Sequence, residues 1–357
     1  MDKLVLNVVF VLMLSWTIQE IQAHKVCDDH TPKAEVDESV EEIVKRLMSV
    51  RNPSWGWEFW STAIVLQVSA PKMFFARQKS VFAFKRLISS GWDELEFFDK
   101  CEAAFVARAL CLNPTKLSGR NLLNEINDKL GEYVNNTTSI SPEDLIEFNF
   151  GLSSLCINGY PVDKNLVHKL LEMQNPDGSF SEGPFSSLAT IWVMRPIFCL
   201  SRMKNTAFNQ TAVKESVKKI RNYVINSITN ITGQLTFGGY DFIVHDALVS
   251  LYKSMPENEN VSKWYCNEVM KDVGIKPLDH EDEEVLTARL MTITGTDYLD
   301  LQNEDYKCLP REDLDKRPVG YKPICNYEKP ETCGLPTPDD FLEEEEESEE
   351  GGEESGE

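Results

Sequence analysis

Residues 141–200 read SPEDLIEFNFGLSSLCINGYPVDKNLVHKLLEMQNPDGSFSEGPFSSLATIWVMRPIFCL. Apolar residues recur at helical spacing over 142–157, 162–174 and 185–201. The first and third segments are apolar nearly all round, as buried helices are, whereas the second is amphipathic. Ser141-Pro142 is a helix start, and Asn175-Pro176-Asp177-Gly178-Ser179-Phe180 is a tight polar turn. Each apolar helix carries one cysteine near its end, Cys156 and Cys199. Two inner helices with an outer one between them predict helical hairpins set side by side.

The same alternation runs outward in both directions. Helical periodicity predicts segments at 36–51, 57–69, 73–89, 98–112, 118–133, 210–228, 240–254, 258–273 and 282–294, which brings the total to twelve. Breakers such as Asn52-Pro53, Pro114, Pro161, Gly238-Gly239 and Pro277 fall between them. The first and further odd segments are charged and amphipathic, as in Val40-Glu41-Glu42-Ile43-Val44-Lys45-Arg46-Leu47. The even ones are small and apolar, as in Ala103-Ala104-Phe105-Val106-Ala107. No strand pattern precedes residue 295. An all-α fold follows. Its expected form is an α6/α6 toroid of six outer and six inner helices over residues 24–310, and an open solenoid of hairpins is the alternative.

The termini read differently. Lys3, the apolar run Leu4 to Trp16 and Ile21-Gln22-Ala23 predict a cleaved signal peptide over residues 1–23. The expected location is therefore secreted and extracellular, with no membrane span. Nine cysteines without a Cys-x-x-Cys favour disulfides, and five scattered histidines suggest no metal site. Sequons at Asn135, Asn136, Asn209, Asn230 and Asn260 agree with secretion, and of the overlapping Asn135 and Asn136 one at most is expected to carry a glycan. Residues 311–338 hold cysteine and proline without periodicity. Residues 339–357 are a low-complexity acidic tail expected to be disordered. The net charge is −22, and residues 331–357 hold thirteen acids and no base. Such a chain carries no basic footprint for nucleic acid.

Candidate chemistry lies at the starts of the inner helices, where Glu58, Asp99, Glu143, Asp144, Asp241, Glu281 and Asp282 stand. In a toroid these starts gather at one end. Two facing carboxylates there, Glu143 and Asp241 for instance, would suit a glycoside hydrolase. Acids in a first turn also cap helices and complement the helix dipole, which is the plainer reading. His245 could approach Asp241, but a lone histidine on an inner helix is more often a hydrogen-bonded core residue. The aromatic set Trp55, Trp57, Trp60, Trp92, Trp192, Phe148, Phe150, Phe180, Phe185, Tyr240 and Phe242 could floor a site for a large flat ligand or fill the ring. No catalytic residue is assigned, and the expected protein is not an enzyme.

Several stretches together resemble the α-domain of the secreted cobalamin carriers, the family of intrinsic factor, transcobalamin and haptocorrin. They are Asn52-Pro53-Ser54, Phe150-Gly151-Leu152-Ser153-Ser154-Leu155-Cys156, Ser186-Ser187 through Cys199, and Gln234 to Leu248 with its Phe237-Gly238. The resemblance spans about residues 26–310. It implies three disulfides, Cys27–Cys266, Cys111–Cys308 and Cys156–Cys199. Cys325 and Cys333 are then left to pair locally, and Cys101 remains as a buried thiol. It also implies that cobalamin is a carried ligand rather than a cofactor, held at the toroid mouth beneath a smaller β-domain.

Two departures accompany it. No β-domain is expected after Cys308, so the ligand would be held more weakly or covered by a lid-supplying chain. A cell-surface receptor is a further expected partner. The ligand-facing positions implied by the resemblance are Asp99, Glu143, Ile146, Ser187, Leu188, Gly239, Tyr240 and Asp241. There Glu143 and Ile146 replace a threonine and a tyrosine, Ser187 and Leu188 lie near the place of an aspartate, Gly239 replaces an asparagine, and Asp99 lies near the place of a glutamine. An extracellular glycoprotein of the same fold, acting through protein contacts without cobalamin, is the alternative.

Overall fold

The computed structural model describes residues 27, 33–49, 59–70, 80–81, 84–85, 88, 95–117, 119–136, 140, 142–180, 186–204, 206–230, 242–255, 258–270 and 283–302. Eleven α-helices lie among them: α1 (Lys33–Ser49), α2 (Phe59–Ser69), α3 (Phe97–Ala109), α4 (Leu122–Asn136), α5 (Pro142–Ile157), α6 (Lys164–Glu172), α7 (Ser186–Arg202), α8 (Gln210–Asn230), α9 (Phe242–Ser254), α10 (Glu259–Trp264) and α11 (Glu283–Thr294). Among the described residues there is no strand, only an isolated bridge between Leu117 and Arg120. The protein is all-α. The expected helix at 73–89 is represented by helical residues at Ser80, Val81, Phe84, Lys85 and Ile88. The expected signal peptide, residues 303–357 and the cysteines Cys308, Cys325 and Cys333 lie outside the described residues.

Local chemistry explains where the boundaries differ from expectation. The helix expected from 118 begins at Leu122 because the Asn121 side chain accepts from the Asn124 N–H at 3.2 Å. Asp163 caps α6 in the same way, accepting from the Asn165 N–H at 2.8 Å. The helix expected over 258–273 is instead a short α10 that widens into a π turn at Tyr265–Val269. Asn209 is exposed and caps α8 through Oδ1, so the sequon there sits where a glycan can project. The remaining sequon asparagines close or open helices: Asn136 ends α4 beside Asn135, Asn230 ends α8 and Asn260 lies in α10.

The apolar helices pack on one another in a fixed order. α2 touches α3, α3 touches α5, α5 touches α7, α7 touches α9, α9 touches α11, and α11 touches α2. α4, α6 and α8 lie outside them: α4 packs on α3, α5 and α6, while α8 packs on α7 and α6. Neighbouring inner helices run the same way. Ser154 on α5 donates to the Cys101 carbonyl of α3 at 2.9 Å, and Asn158 past its end donates to Ala104 at 3.2 Å. Likewise Phe150 meets Arg195, and six residues on Cys156 is bonded to Cys199. Side chains from Ile43 to Leu301 form one continuous apolar core.

Disulfides tie distant parts together. Cys27 is bonded to Cys266 and Cys156 to Cys199, with Cα–Cα distances of 5.5 and 6.1 Å. Cys111 is also disulfide-bonded, and its partner lies outside the described residues. Cys101 is a buried free thiol. Cys111 further serves as the left-handed residue that ends α3, at φ 63°. The Cys111 and Leu112 N–H groups donate to Arg108 and Ala107 at 3.1 and 2.8 Å. The same pair of bonds closes α5 at Gly159 and α11 at Gly295.

After α11 the chain makes a short 3₁₀ turn, Tyr298–Gln302, which the sequence pattern did not reveal. It packs on α2, α5 and α7. Arg108 near the end of α3 donates to the Leu301 carbonyl at 3.0 Å, and Gln302 donates to the Cys199 carbonyl at 2.9 Å. The segment therefore lies across the C-terminal ends of the inner helices.

The turn at 175–180 is pressed against α8. Gln174 donates to the Gly178 and Ser216 carbonyls at 3.2 and 3.3 Å, and Asp177 accepts from the Ser179 N–H at 2.9 Å. Gly178 has φ 101°, and a Cβ there would lie 2.4 Å from the Lys219 carbonyl oxygen. Neither the dihedral nor the space admits a side chain. Gly178→Ala should lower the unfolding free energy by about 2 kcal/mol or more in chemical denaturation with disulfides intact. Gly131 in α4 has open space at its Cβ. Gly131→Ala should raise the unfolding free energy by about 0.5–1 kcal/mol in the same measurement.

Candidate functional site

The structure brings the starts of α3, α5 and α7 to one end, because these helices are neighbours and run the same way. Asp99 is the third residue of α3 and is buried at 5% exposure. Its Oδ2 accepts from the Glu96 N–H at 3.0 Å, so it caps the helix, the plainer of the two expected roles. Ile146 is half-buried on α5 and packs against the core. Glu143 lies in the first turn of α5, and Ser187 and Leu188 in that of α7, with side chains outside the described set. Gly239, Tyr240 and Asp241 lie outside the described residues, immediately ahead of α9.

Below those positions lies a polar column that the sequence reading missed. Seven residues before Cys156, on the same face of α5, stands Asn149. Seven residues before Cys199, on the same face of α7, stands Trp192. The separation of 43 that joins the two cysteines also separates these two residues, so they stand level on parallel helices. Ser153 and Arg195 come one turn deeper. Asn149 is 3% exposed, Ser153 1% and Arg195 3%, while Trp192 is half-buried. Among the described residues, both ends of the Asn149 amide, Ser153 Oγ, Trp192 Nε1 and Arg195 Nη2 have no hydrogen-bond partner. The adjacent Ser154 bonds both the Phe150 and Cys101 carbonyls, which shows that this helix can satisfy a buried serine. Pro196 in α7 leaves the Trp192 carbonyl without its usual in-helix donor.

Arg195 is the centre of this region. Its Nε donates to Asp246 Oδ2 of α9 at 2.8 Å, with both side chains buried. Its guanidinium carbon lies 4.2 Å from the Tyr298 ring centroid, 5.2 Å from that of Phe150 and 5.7 Å from that of Phe105. One side chain thus meets α3, α5, α9 and the closing turn, so it lies among the inner helices. Asp246 Oδ1 also accepts from the Tyr298 N–H at 2.5 Å. Burial pushes the Asp246 carboxyl up, and both the Arg195 charge and these donors work against that. A second charged group continues below. Asp297 accepts from Ser250 at 2.7 Å and from Lys253 at 3.3 Å, and Lys253 also pairs with Asp300.

Glu102 belongs to the same interior. It lies one turn below Asp99, is 4% exposed, and its carboxyl is pushed up to about 8, chiefly by burial, with Arg195 opposing. At neutral pH it is therefore uncharged. His245 is held down to about 4 by burial and by Arg289. Its Nδ1 faces Thr292 Oγ1 at 2.9 Å, and that hydroxyl donates to the Ala288 carbonyl, so the nitrogen carries the proton. His245 is a core residue joining α9 to α11. Of the expected aromatics, Trp60 stacks edge-on against Phe84 at 6.0 Å, and Phe148 meets Tyr133 at 6.0 Å. These two fill space. Phe150, packed on Phe98 at 4.4 Å, walls the Arg195 site.

The interior holds polar groups away from water, and at the α5–α7 seam several donors have no partner among the described residues. Among the described residues no nucleophile stands beside a base there. Among the described residues no cluster of histidine, cysteine or carboxylate could hold a metal ion, and no helix is long and apolar enough to cross a membrane.

The Glu102 environment predicts a pH dependence with a definite sign. The folded carboxyl keeps its proton up to about pH 8, whereas the unfolded one loses it above its ordinary value of 4.5. The folded state binds more protons across that window, so stability falls as pH rises through it. Glu102→Gln removes this fall. Denaturation at a series of pH values should show the variant and the parent equal near pH 4.5. The variant should then become progressively the more stable, by a few kcal/mol on the order-of-magnitude scale near pH 8. A gap independent of pH would contradict the assignment.

No protein-family model matches the chain, and no curated protein is similar to it.

Proposed function

We propose that the chain is a secreted, non-enzymic carrier whose inner helices form the core of an α6/α6 toroid. It holds a large ligand, cobalamin or a related corrinoid, at the end where those helices begin. The observation that carries this reading is the packing order of α2, α3, α5, α7, α9 and α11, in which α11 returns to α2. Six parallel helices in a closed order have two ends, and Tyr298–Gln302 lies across one of them. The other end gathers Asp99, Ile146 and the first turns of α5 and α7, the positions that the resemblance to cobalamin carriers gives to the ligand. Half-buried Ile146 supplies apolar surface there, which suits a large flat ligand. The scaffold residues of the 141–200 stretch support the carrier reading more strongly than its altered polar positions do.

Purified protein mixed with cyanocobalamin and desalted should retain the corrinoid absorption in the visible spectrum at micromolar protein concentration. Loss of the chromophore on desalting, together with no change in its spectrum before desalting, sinks the cobalamin reading. In that case the glycoprotein acting through protein contacts becomes the better account, and a stoichiometric partner recovered from extracellular fluid would support it.

A further inference from the structure

Four hydrogen-bond donors on two neighbouring helices face the interior at adjacent levels without partners among the described residues: Asn149 Nδ2, Ser153 Oγ, Trp192 Nε1 and Arg195 Nη2. Three of the four side chains are more than nine-tenths buried. A buried polar group without a partner costs about 1–3 kcal/mol, and more when it is charged. Four such groups in one place form a concentrated cost that apolar residues of the same size would not carry. Ser154, Asp246, Asp297 and Ser250 have partners at 2.5–2.9 Å, whereas Thr62 Oγ1, Ser216 Oγ and Gln302 Oε1, on other elements, have none among the described residues. At the α5–α7 seam most of the unmatched atoms are donors, one of them on a cation, and Asn149 Oδ1 is an unmatched acceptor beside them.

We propose that the α5–α7 seam is a second binding site, below the mouth, which takes a small oxyanion such as a carboxylate or a phosphate. Arg195 is suited to it because its Nε is spent on Asp246 while Nη2 points elsewhere on the same rigid plane. The rings of Phe105, Phe150 and Tyr298 fix that plane and exclude water from its faces. Asn149 and Ser153 on α5 supply neutral donors one helical turn apart, and Trp192 supplies an indole N–H level with Asn149. The acidic groups near Arg195 leave room for an anion. Arg195 and Asp246 form a neutral pair and Glu102 is mainly protonated at neutral pH, so the seam offers an oxyanion hydrogen-bond donors rather than net positive charge. Entry is from the mouth, past Trp192 and Ile146, the half-buried members of the column. The site does not depend on the ligand at the mouth being cobalamin.

The test uses the full-length, disulfide-bonded glycoprotein near pH 6, below the range in which Glu102 ionises. Thermal unfolding and isothermal titration are followed with inorganic phosphate, sulfate and acetate, against chloride at equal ionic strength. Phosphate or acetate should raise the melting temperature saturably, and which of them does so assigns the oxyanion class. Asn149→Leu and Ser153→Ala should each weaken that binding roughly tenfold while leaving the anion-free melting temperature equal to or above that of the parent. The second result separates a binding role from a structural one, since removing an unpaired buried donor does not destabilise the free protein. No effect beyond chloride overturns the proposal. So does an equal effect in parent and variants, which marks an adventitious surface ion only. So does a marked loss of anion-free stability in both variants, which would show Asn149 and Ser153 to be bonded within the protein.

Discussion

A guanidinium at 3% exposure has to be met by charge and by hydrogen bonds, or the fold does not form. Arg195 is met by Asp246 from α9 and by three aromatic rings from α3, α5 and the closing turn. Few alternative packings of the same helices would satisfy that requirement. A buried ion pair adds little net stability compared with an apolar pair of the same size. Its effect here is on arrangement: it joins α7 to α9 and sets Tyr298 against both. Asp246 then takes the Tyr298 N–H, Arg108 takes the Leu301 carbonyl and Gln302 takes the Cys199 carbonyl. These three bonds hold the closing turn to α9, α3 and α7.

That dependence separates the two ends of the helix set. At one end, the C-terminal halves of the inner helices are locked by Arg195, by the Asp297–Lys253–Asp300 group and by the Cys156–Cys199 disulfide. At the other, the side chains are capping acids, half-buried apolar groups and donors without partners. Unpaired donors along α5 and α7 leave interaction energy open to a ligand, which supports the proposed carrier. His245, the residue nearest to a catalytic base, is spent on Thr292 and held neutral.

Most of the helical layout was legible in the sequence, because periodicity reports burial and these helices are either buried or half-buried. The stretch 141–200 gave α5, α6, α7 and the intervening turn nearly at their observed limits. What periodicity could not report was anything set by a cap or by one tertiary contact. Asn121 and Asp163 moved two helix starts inward, α10 widened into a π turn, and Tyr298–Gln302 has no pattern of its own. The polar column was legible in principle. Asn149 and Ser153, and Trp192 and Arg195, recur at helical spacing inside apolar runs, leading up from Cys156 and Cys199 to Ile146 and Leu188. Attention to carboxylates at the helix starts passed over them. Asp246 and Glu102 were hidden for another reason, since nothing local distinguishes a buried acid from an exposed one before its partner is known.

The central claim is that the inner helices close on themselves, and the seam between α2 and α11 tests it most directly. The Ser69 and Thr296 hydroxyls are hydrogen-bonded across that seam, 227 residues apart in sequence. In a double variant, Ser69→Cys with Thr296→Cys, the proposed toroid brings the two thiols within disulfide reach. Non-reducing peptide mapping should then recover one linked peptide from the two sites in nearly all molecules. Two free thiols in a folded, oxidised protein would mean an open run of hairpins and would contradict the account.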